Sequence, residues 1–230
     1  MPGLTERAGG DLPDPGAAVE QAHQAWQQSM LRQIEQLRQD VQAKAPQALA
    51  ERCGGRLDAE ALLLTYWGRE VRLAWPALTA CYLPGGGECS VFDLAMLLYY
   101  LHTADGAAQS GRWIGYRELP DGAFYANAFQ GYSGNRLARA LGDRPSAYTA
   151  AALALGGTSL PELPGLAYTF QPLPRLRLAT ILYPGDEEFP ARASVLFDAA
   201  CSHYLPTDGL ALLGSGLVGR LIKLAAPPAG

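Results

Sequence analysis

Residues 61–75 read Ala61-Leu62-Leu63-Leu64-Thr65-Tyr66-Trp67-Gly68-Arg69-Glu70-Val71-Arg72-Leu73-Ala74-Trp75. Two runs rich in leucine, valine and aromatic residues flank a short turn that contains glycine, and this pattern indicates a β-hairpin. We therefore predict strands over Ala61–Tyr66 and Val71–Trp75, joined by the turn Trp67-Gly68-Arg69. A hairpin pairs its strands antiparallel, whereas a parallel pair needs a long crossover segment between its strands.

A second hairpin is predicted further along the chain. Leu176–Tyr183 and Arg192–Phe197 have the composition of strands, and the long turn Pro184–Pro190 separates them. A further strand is predicted over Arg112–Leu119 from its alternating pattern, in which successive side chains point to opposite faces. Two hairpins without regular strand–helix–strand alternation favour a mainly antiparallel sheet.

Helices are predicted from apolar residues that recur three and four positions apart. A long amphipathic helix is predicted over residues 14–53, ended by Gly54-Gly55, with this stripe: Val19, Ala22, Trp26, Met30, Ile34, Leu37 and Val41. A buried helix is predicted over Val91–Thr103, opened by Ser90, and a C-terminal helix is predicted after Thr207 as its cap. Shorter helices are predicted over Phe124–Phe129, Arg136–Leu141 and Ala147–Leu155.

The predicted fold class is α+β, with a mainly antiparallel sheet from hairpins packed against helices. The predicted organisation is a disordered N-terminus over residues 1–13, the N-terminal helix over 14–53, a single α+β domain over 54–224, and a tail over 225–230. A chain of 230 residues with 49% hydrophobic residues has enough apolar material for one sizeable core.

Composition narrows the function classes. The net charge is −4 and the pI about 5.4, whereas proteins that bind the phosphate backbone are usually basic, so we expect no nucleic-acid partner. The N-terminal residues lack the apolar core of a signal peptide, and no apolar run reaches the roughly 18 residues of a membrane span. We expect a soluble, cytoplasmic protein, and the sequence leaves its oligomeric state open.

Two motifs with known chemical meaning are weak in this chain. Cys81 and Cys89 are separated by seven residues, which is wider than the usual spacing of a zinc knuckle, so no metal site is expected. The segment Gly214–Gly219 matches the glycine pattern of dinucleotide-binding folds, but too little chain follows to complete such a fold. We expect these glycines to let the C-terminal helix pack closely, and the sequence identifies no cofactor.

Candidate ligand-binding residues are charged and aromatic side chains within apolar surroundings, because buried charge requires a partner. They are Trp113, Tyr116, Arg117, Glu118, Asp186, Glu187, Glu188 and Asp198. Within a regular strand Arg117 and Glu118 point apart, so we predict that one of them pairs with a distant charge, with Asp198 as the partner of Arg117. The turn Asp186–Glu188 is predicted to complete the same pocket, or to be only a hydrated hairpin tip.

Several short motifs together resemble a known family. They are Leu101, Gly111-Arg112-Trp113-Ile114, Tyr116-Arg117-Glu118-Leu119, Ala128-Phe129, Leu155-Gly156-Gly157, Leu173-Pro174, Asp186-Glu187-Glu188-Phe189-Pro190-Ala191, Leu196-Phe197-Asp198 and Tyr204-Leu205-Pro206. In this order they resemble the family called domain of unknown function 3786, over about Leu57–Leu224. The resemblance implies occurrence mainly in anaerobic bacteria and archaea and no agreed activity. Some relatives carry a cysteine-rich iron–sulfur segment, but this chain has no C-x-x-C, so that association does not transfer.

Three functional hypotheses follow. The first is a small-molecule or cofactor-binding accessory module of anaerobic metabolism, since aromatic side chains beside charges are typical of pockets for polar ligands. The second is a hydrolase-like enzyme that uses acidic residues as general acid and base. The third is a protein-interaction subunit that docks through its N-terminal helix. Whether the chain is an enzyme is left open by the sequence.

Overall fold

The computed structural model describes residues 33–226, and within them a four-stranded and a five-stranded antiparallel sheet are formed. The first sheet has the order β1 (Arg56–Asp58), β2 (Ala61–Tyr66), β3 (Arg69–Ala74) and β4 (Thr79–Leu83). The second has the order β5 (Trp113–Gly115), β9 (Arg192–Asp198), β8 (Leu176–Tyr183), β7 (Leu166–Leu173) and β6 (Thr158–Ser159). The α+β class is therefore confirmed, with the strands divided between two sheets.

Seven helices lie within the described residues, two before the first sheet, four between strands and one after the last strand. They are α1 (33–42), α2 (Pro46–Cys53), α3 (Val91–Thr103), α4 (Ala126–Tyr132), α5 (Gly134–Leu141), α6 (Pro145–Ala154) and α7 (Thr207–Leu224). Short 3₁₀ helices cover Tyr116–Glu118, Gly122–Phe124 and Cys201–His203.

The β2–β3 hairpin is confirmed, with a turn of two residues. Its register runs from Ala61 opposite Ala74 to Tyr66 opposite Arg69. Both turn residues have positive φ, 49° at Trp67 and 77° at Gly68, and such turns match the right-handed twist of the strands they join. Glycine adopts this conformation readily, whereas a tryptophan in it is uncommon and must be held by its surroundings.

The β8–β9 hairpin is also confirmed, and the acidic turn lies between its strands. The register runs from Leu178 opposite Phe197 to Tyr183 opposite Arg192. On the other side of β8, strand β7 contains an irregularity between Phe170 and Leu173 and carries Pro172 there. Strand β6, which borders β7, has only two residues.

The strand predicted over Arg112–Leu119 is wrong beyond its first half. Strand β5 ends at Gly115, and the chain then turns into the 3₁₀ helix Tyr116–Glu118. The turn is stabilised because the Glu118 carboxylate accepts a hydrogen bond from the Gly115 N–H at 2.7 Å. Tyr116 meanwhile packs inward, where its ring stacks on Phe129 with a centroid distance of 4.3 Å.

The single helix predicted over residues 14–53 needs correction in its described part. The chain is helical over 33–42, leaves the helix at residues 43–45, and begins α2 at Pro46. Proline has no N–H to donate within a helix interior, but it is favoured at the first helical position, where no such bond is needed. A new helix therefore starts at Pro46. Residues 14–32 lie outside the described part, while the predicted helix end is confirmed by Gly54, which has φ 70°.

The predicted helix over Val91–Thr103 is confirmed as α3. Its N-terminus is capped by the Ser90 hydroxyl, which accepts a hydrogen bond from the Asp93 N–H at 3.1 Å. Helix α7 does begin at Thr207, but the Thr207 hydroxyl donates to the Pro120 carbonyl instead of capping the helix. The cap prediction for Thr207 is therefore wrong, although the position of the helix is right.

One apolar core joins the two sheets and the helices. Its fully buried members come from every layer, including Leu73 of β3, Leu97 of α3, Leu178 of β8 and Leu217 of α7. Gly214 of α7 lies against this core so closely that a Cβ there would be 2.9 Å from the Phe129 ring. The expectation that the α7 glycines allow close packing is thus confirmed at Gly214.

Candidate functional site

The structure brings together two of the predicted site residues, Trp113 and Asp198. They are direct partners in the β5–β9 ladder. Trp113 is partly buried, and the guanidinium carbon of Arg177 lies 5.4 Å from the centre of its ring. Asp198 is only 1% exposed.

Asp198 uses both carboxylate oxygens to hold the connection between α3 and β5, residues 104–112. Its Oδ1 accepts hydrogen bonds from the Ser110 N–H, the Ser110 hydroxyl and the Ala200 N–H, each at 2.9 Å. Its Oδ2 accepts from the Gly111 N–H at 2.7 Å. Burial opposes ionisation of Asp198, but these hydrogen bonds outweigh it and lower the pKa below its ordinary value.

The predicted ion pair between Arg117 and Asp198 is wrong. Arg117 and Glu118 are both exposed on the 3₁₀ helix that follows β5, since the chain leaves the strand before reaching them. Within residues 33–226 Arg117 makes no salt bridge, and the Asp198 oxygens are occupied by backbone and hydroxyl donors instead. Tyr116, the remaining aromatic of this group, is part of the core.

The acidic turn lies at the other end of β9 from Trp113. Each strand residue adds about 3.3 Å, so the six steps from Asp198 to Arg192 separate Trp113 from the turn by about 20 Å. Asp186, Glu187 and Glu188 are exposed, and Asp186 Oδ1 accepts hydrogen bonds from the N–H groups of Glu188 and Phe189. Geometrically, the eight predicted residues do not line one common pocket.

A different cavity combines aromatic and cationic side chains. Its volume is about 440 Å³, within the range of small-molecule sites. We call it the aromatic–cationic pocket, and it is lined by Tyr66, Trp67, Arg69, Tyr82, Leu155, Arg220, Lys223 and Leu224. None of the eight predicted residues belongs to this lining.

Four elements place these side chains around the pocket. The β2–β3 hairpin supplies Tyr66, Trp67 and Arg69, and β4 supplies Tyr82. The C-cap of α6 supplies Leu155, and the last turns of α7 supply the other two cations and Leu224. The backbone N–H of Trp67 donates to the Pro172 carbonyl of β7 at 2.9 Å. The pocket therefore lies where the first sheet, the second sheet and α7 meet.

Two guanidinium groups lie over the aromatic walls. The guanidinium carbon of Arg69 is 3.9 Å from the Tyr82 ring centre, and that of Arg220 is 4.3 Å from the Trp67 ring centre. Such contacts orient a cation against a ring face without neutralising its charge. Arg220 additionally donates to the Gly216 carbonyl at 3.2 Å, which fixes it on α7.

A carboxylate lies behind the Tyr82 wall. The Tyr82 hydroxyl donates to Asp93 Oδ2 at 3.0 Å, and the Ser90 hydroxyl donates to the same oxygen at 2.7 Å. Burial and the charge of Asp93 raise the pKa of Tyr82 well above its ordinary value, so Tyr82 stays neutral at physiological pH. The same two causes raise the pKa of the Cys89 thiol to about 11.

Two other cavities contain fewer charged side chains that lack an ion-pair partner. In one of about 370 Å³ beside β2, Arg56 already contacts Glu70 at 3.5 Å and Asp58 at 4.0 Å. One of about 450 Å³ beside Trp75 and Pro76 has a largely apolar lining without a cation. The aromatic–cationic pocket, in contrast, has three cations and no acidic residue in its described lining.

Sequence reasoning missed this site because its residues are distant in the chain. The local sequence indicates a turn at Trp67 and Arg69 and a helix at Arg220 and Lys223, with no sign that they meet. The one local signal is Trp67 itself, a bulky residue at a hairpin position that favours asparagine or glycine. Residues held in sparsely populated backbone conformations are frequent at functional sites.

The described part of the chain contains neither a cluster of metal ligands nor a membrane-spanning helix. Among residues 33–226, no three His, Cys, Asp or Glu side chains form a group that could hold a metal ion. Over the same residues, no helix has the length and hydropathy needed to cross a bilayer.

Comparisons with known proteins give one finding. The sequence profile of a family described as "Domain of unknown function (DUF3786)" matches residues 45–220. No curated protein and no solved structure shows a significant match to the chain.

Proposed function

The chain belongs to the Domain of unknown function (DUF3786) family, and from this premise we propose that it is a small-molecule-binding module whose site is the aromatic–cationic pocket. The family description names no activity, so the proposal rests on the geometry of this chain. Its ligand is a molecule of anaerobic metabolism, an expectation that follows from the family resemblance.

One observation carries the proposal: Arg69, Arg220 and Lys223 converge on one cavity with aromatic walls. The chain as a whole is acidic, with 22 Asp and Glu against 18 Lys and Arg, so three cations without a lining acid are a local departure from the composition. Like charges held close together repel each other, and an anion in the pocket would relieve that repulsion.

The walls favour a ligand with an apolar or aromatic body. The lining includes the apolar side chains of Leu155 and Leu224 and the aromatic residues Tyr66 and Trp67. The proposed ligand is therefore an organic anion, held by its charged group at the guanidinium groups and by its body at the apolar wall.

The earlier alternatives receive less support. A hydrolase would need a carboxylate available for proton transfer, but Asp198 is buried and fully hydrogen-bonded, and Asp186–Glu188 form an exposed turn. The interaction hypothesis rests on the N-terminal helix, of which residues 14–32 lie outside the described part of the chain.

Isothermal titration of the full chain with benzoate and with benzyl alcohol tests the proposal. We expect benzoate to bind with one-to-one stoichiometry and benzyl alcohol to bind more weakly, because only benzoate carries a charge. Arg69→Gln should weaken benzoate binding, whereas Arg72→Gln, which removes an exposed cation of the same strand outside the pocket, should leave it unchanged.

Two results would argue against this function. One is the absence of binding by benzoate and by the larger anions described in the next subsection. The other is equal loss of affinity in the Arg69→Gln and Arg72→Gln proteins, which would show that total charge matters and the pocket does not.

A further inference from the structure

Resting on the proposed function, we infer that the aromatic–cationic pocket selects a dianionic group, a phosphate monoester or a dicarboxylate, over a monocarboxylate. The inference concerns the charge of the ligand, and it comes from the charges that face the cavity and from the way each cation is held.

The charges around the cavity leave an excess that one negative charge does not neutralise. Three cations line it, and the Asp93 carboxylate contacts the lining residue Tyr82, with its Oδ2 accepting hydrogen bonds from two hydroxyl groups. The C-terminal end of α7 adds about half a negative charge to the same side. The remaining excess is about 1.5 positive charges, so a monoanion leaves part of the positive charge for a second anionic group to contact.

The three cations differ in how firmly they are placed. Arg69 and Arg220 lie over aromatic rings, and a guanidinium presents several donors in a fixed plane, which suits bidentate contact with carboxylate or phosphate oxygens. These two side chains would bind the first charge of any organic anion.

Lys223 is the candidate for sensing the second charge. It is exposed at the pocket rim, and within residues 33–226 it forms no salt bridge. An ammonium on a flexible stem acts as a mobile point charge, so it can approach a second anionic group wherever that group lies. Its contribution should therefore appear with dianions and be small with monoanions.

The experiment compares benzoate, isophthalate and phenyl phosphate by isothermal titration at pH 7.5 with the full chain. We expect both dianions to bind about threefold to fivefold more tightly than benzoate, because the second negative charge forms one additional exposed charge pair with Lys223. Isophthalate and phenyl phosphate distinguish the two sources of the dianion.

The Lys223→Gln variant provides the residue-level test. We expect it to lose most of the preference for dianions, with benzoate affinity changed less than about twofold. Because Lys223 is exposed, the variant should fold, and its far-ultraviolet circular dichroism and melting temperature check this. The Arg72→Gln protein again serves as the matched control and should keep the full preference.

A pH series separates charge from shape. The second ionisation of a phosphate monoester occurs near pH 6, so phenyl phosphate should bind more tightly at pH 7.5 than at pH 5, while the affinity for benzoate stays constant.

If benzoate binds as tightly as both dianions, the inference fails and the proposed function stands. If Lys223→Gln lowers all affinities equally, the assigned role of Lys223 is wrong. If none of the three compounds binds, both proposals fail.

Discussion

At the scale of single residues, Asp198 holds the connection between α3 and β5 with both of its carboxylate oxygens. Its backbone donors come from Ser110, Gly111 and Ala200, and a carboxylate that accepts several such bonds is stabilised in its charged form. Nearby, His203 Nδ1 contacts Asp105 Oδ2 at 2.6 Å and the Tyr204 hydroxyl donates to the Ala107 carbonyl. The segment 198–204 therefore fixes this connection at three points.

We predict that Asp198→Asn destabilises the protein by roughly 2–4 kcal/mol, measured by urea unfolding. The amide keeps one accepting oxygen but places an NH₂ donor against a backbone N–H that now lacks an acceptor. Asp186→Asn is the matched control, because in Asp186 a single oxygen accepts both hydrogen bonds and the amide can preserve them. Equal effects of the two substitutions would contradict this account.

The stability difference between the parent protein and Asp198→Asn should depend on pH. The folded pKa of Asp198 is lowered, so its stabilising contribution is complete above the unfolded pKa of about 3.9 and is lost as the pH falls through the lower folded pKa. The difference in unfolding free energy between the parent and Asp198→Asn should therefore shrink below about pH 4. Asp105, whose pKa is also lowered, mainly by its hydrogen bond with His203, is present in both proteins, so its titration cancels.

At the scale of secondary structure, Tyr100 of α3 joins three elements. Its hydroxyl donates to the Cys53 carbonyl at the end of α2 at 2.6 Å and accepts from the Arg175 N–H between β7 and β8 at 3.0 Å. The Tyr100 side chain is fully buried, its bond to Cys53 is buried and its bond to Arg175 is partly buried. A buried group that loses its partner costs more than an exposed one.

Replacement of Tyr100 by phenylalanine should cost about 1–3 kcal/mol of stability, because it leaves a carbonyl and an N–H without a partner. The adjacent Tyr99 provides the comparison: its hydroxyl donates to Gln33 in an exposed position, and Tyr99→Phe should change stability by less than about 0.5 kcal/mol. Chemical denaturation of both variants measures the difference. A Tyr100→Phe protein as stable as the parent would show that these hydrogen bonds contribute nothing net.

Elements whose signals are local were predictable from the sequence. The Trp67-Gly68 turn and the Ser90 cap each lie within a few residues of the structure they specify. The end of β5 at Gly115 was not predictable, because it depends on two side-chain contacts. They are the hydrogen bond from the Gly115 N–H to the Glu118 carboxylate and the stacking of Tyr116 on Phe129 in the core. The division of the strands into two sheets was not predictable either, since no local pattern indicates which hairpins pair with each other.

The candidate site lies beyond local prediction for the same reason. Trp67 and Arg220 are separated by most of the chain, and only the packing of α7 against the β2–β3 turn brings them within 4.3 Å. Trp113 and Asp198 do meet, but through ladder pairing instead of a ligand pocket. Of the residues predicted from the density of charges and aromatic rings, Asp198 and Tyr116 have structural roles in the fold.

At the scale of the whole molecule, the continuous core predicts that both sheets unfold together. The same apolar cluster contains side chains from β3 and β8, and Trp67 and Trp113 report on the first and the second sheet respectively. We expect tryptophan fluorescence and far-ultraviolet circular dichroism to give one coincident thermal transition. Single-tryptophan variants that retain either reporter check this, and two separated midpoints would show independent units.

The borders of the second sheet have a consequence for the protein at high concentration. A long, open strand edge is a template for another chain, but β5 has three residues and β6 has two. Beyond β6, the free edge of β7 is interrupted by its irregularity and by Pro172, which has no N–H to offer and whose carbonyl is already bonded to Trp67. The eight-residue strands β7 and β8 are thus shielded from intermolecular pairing, and the folded chain should resist aggregation through this border of the second sheet.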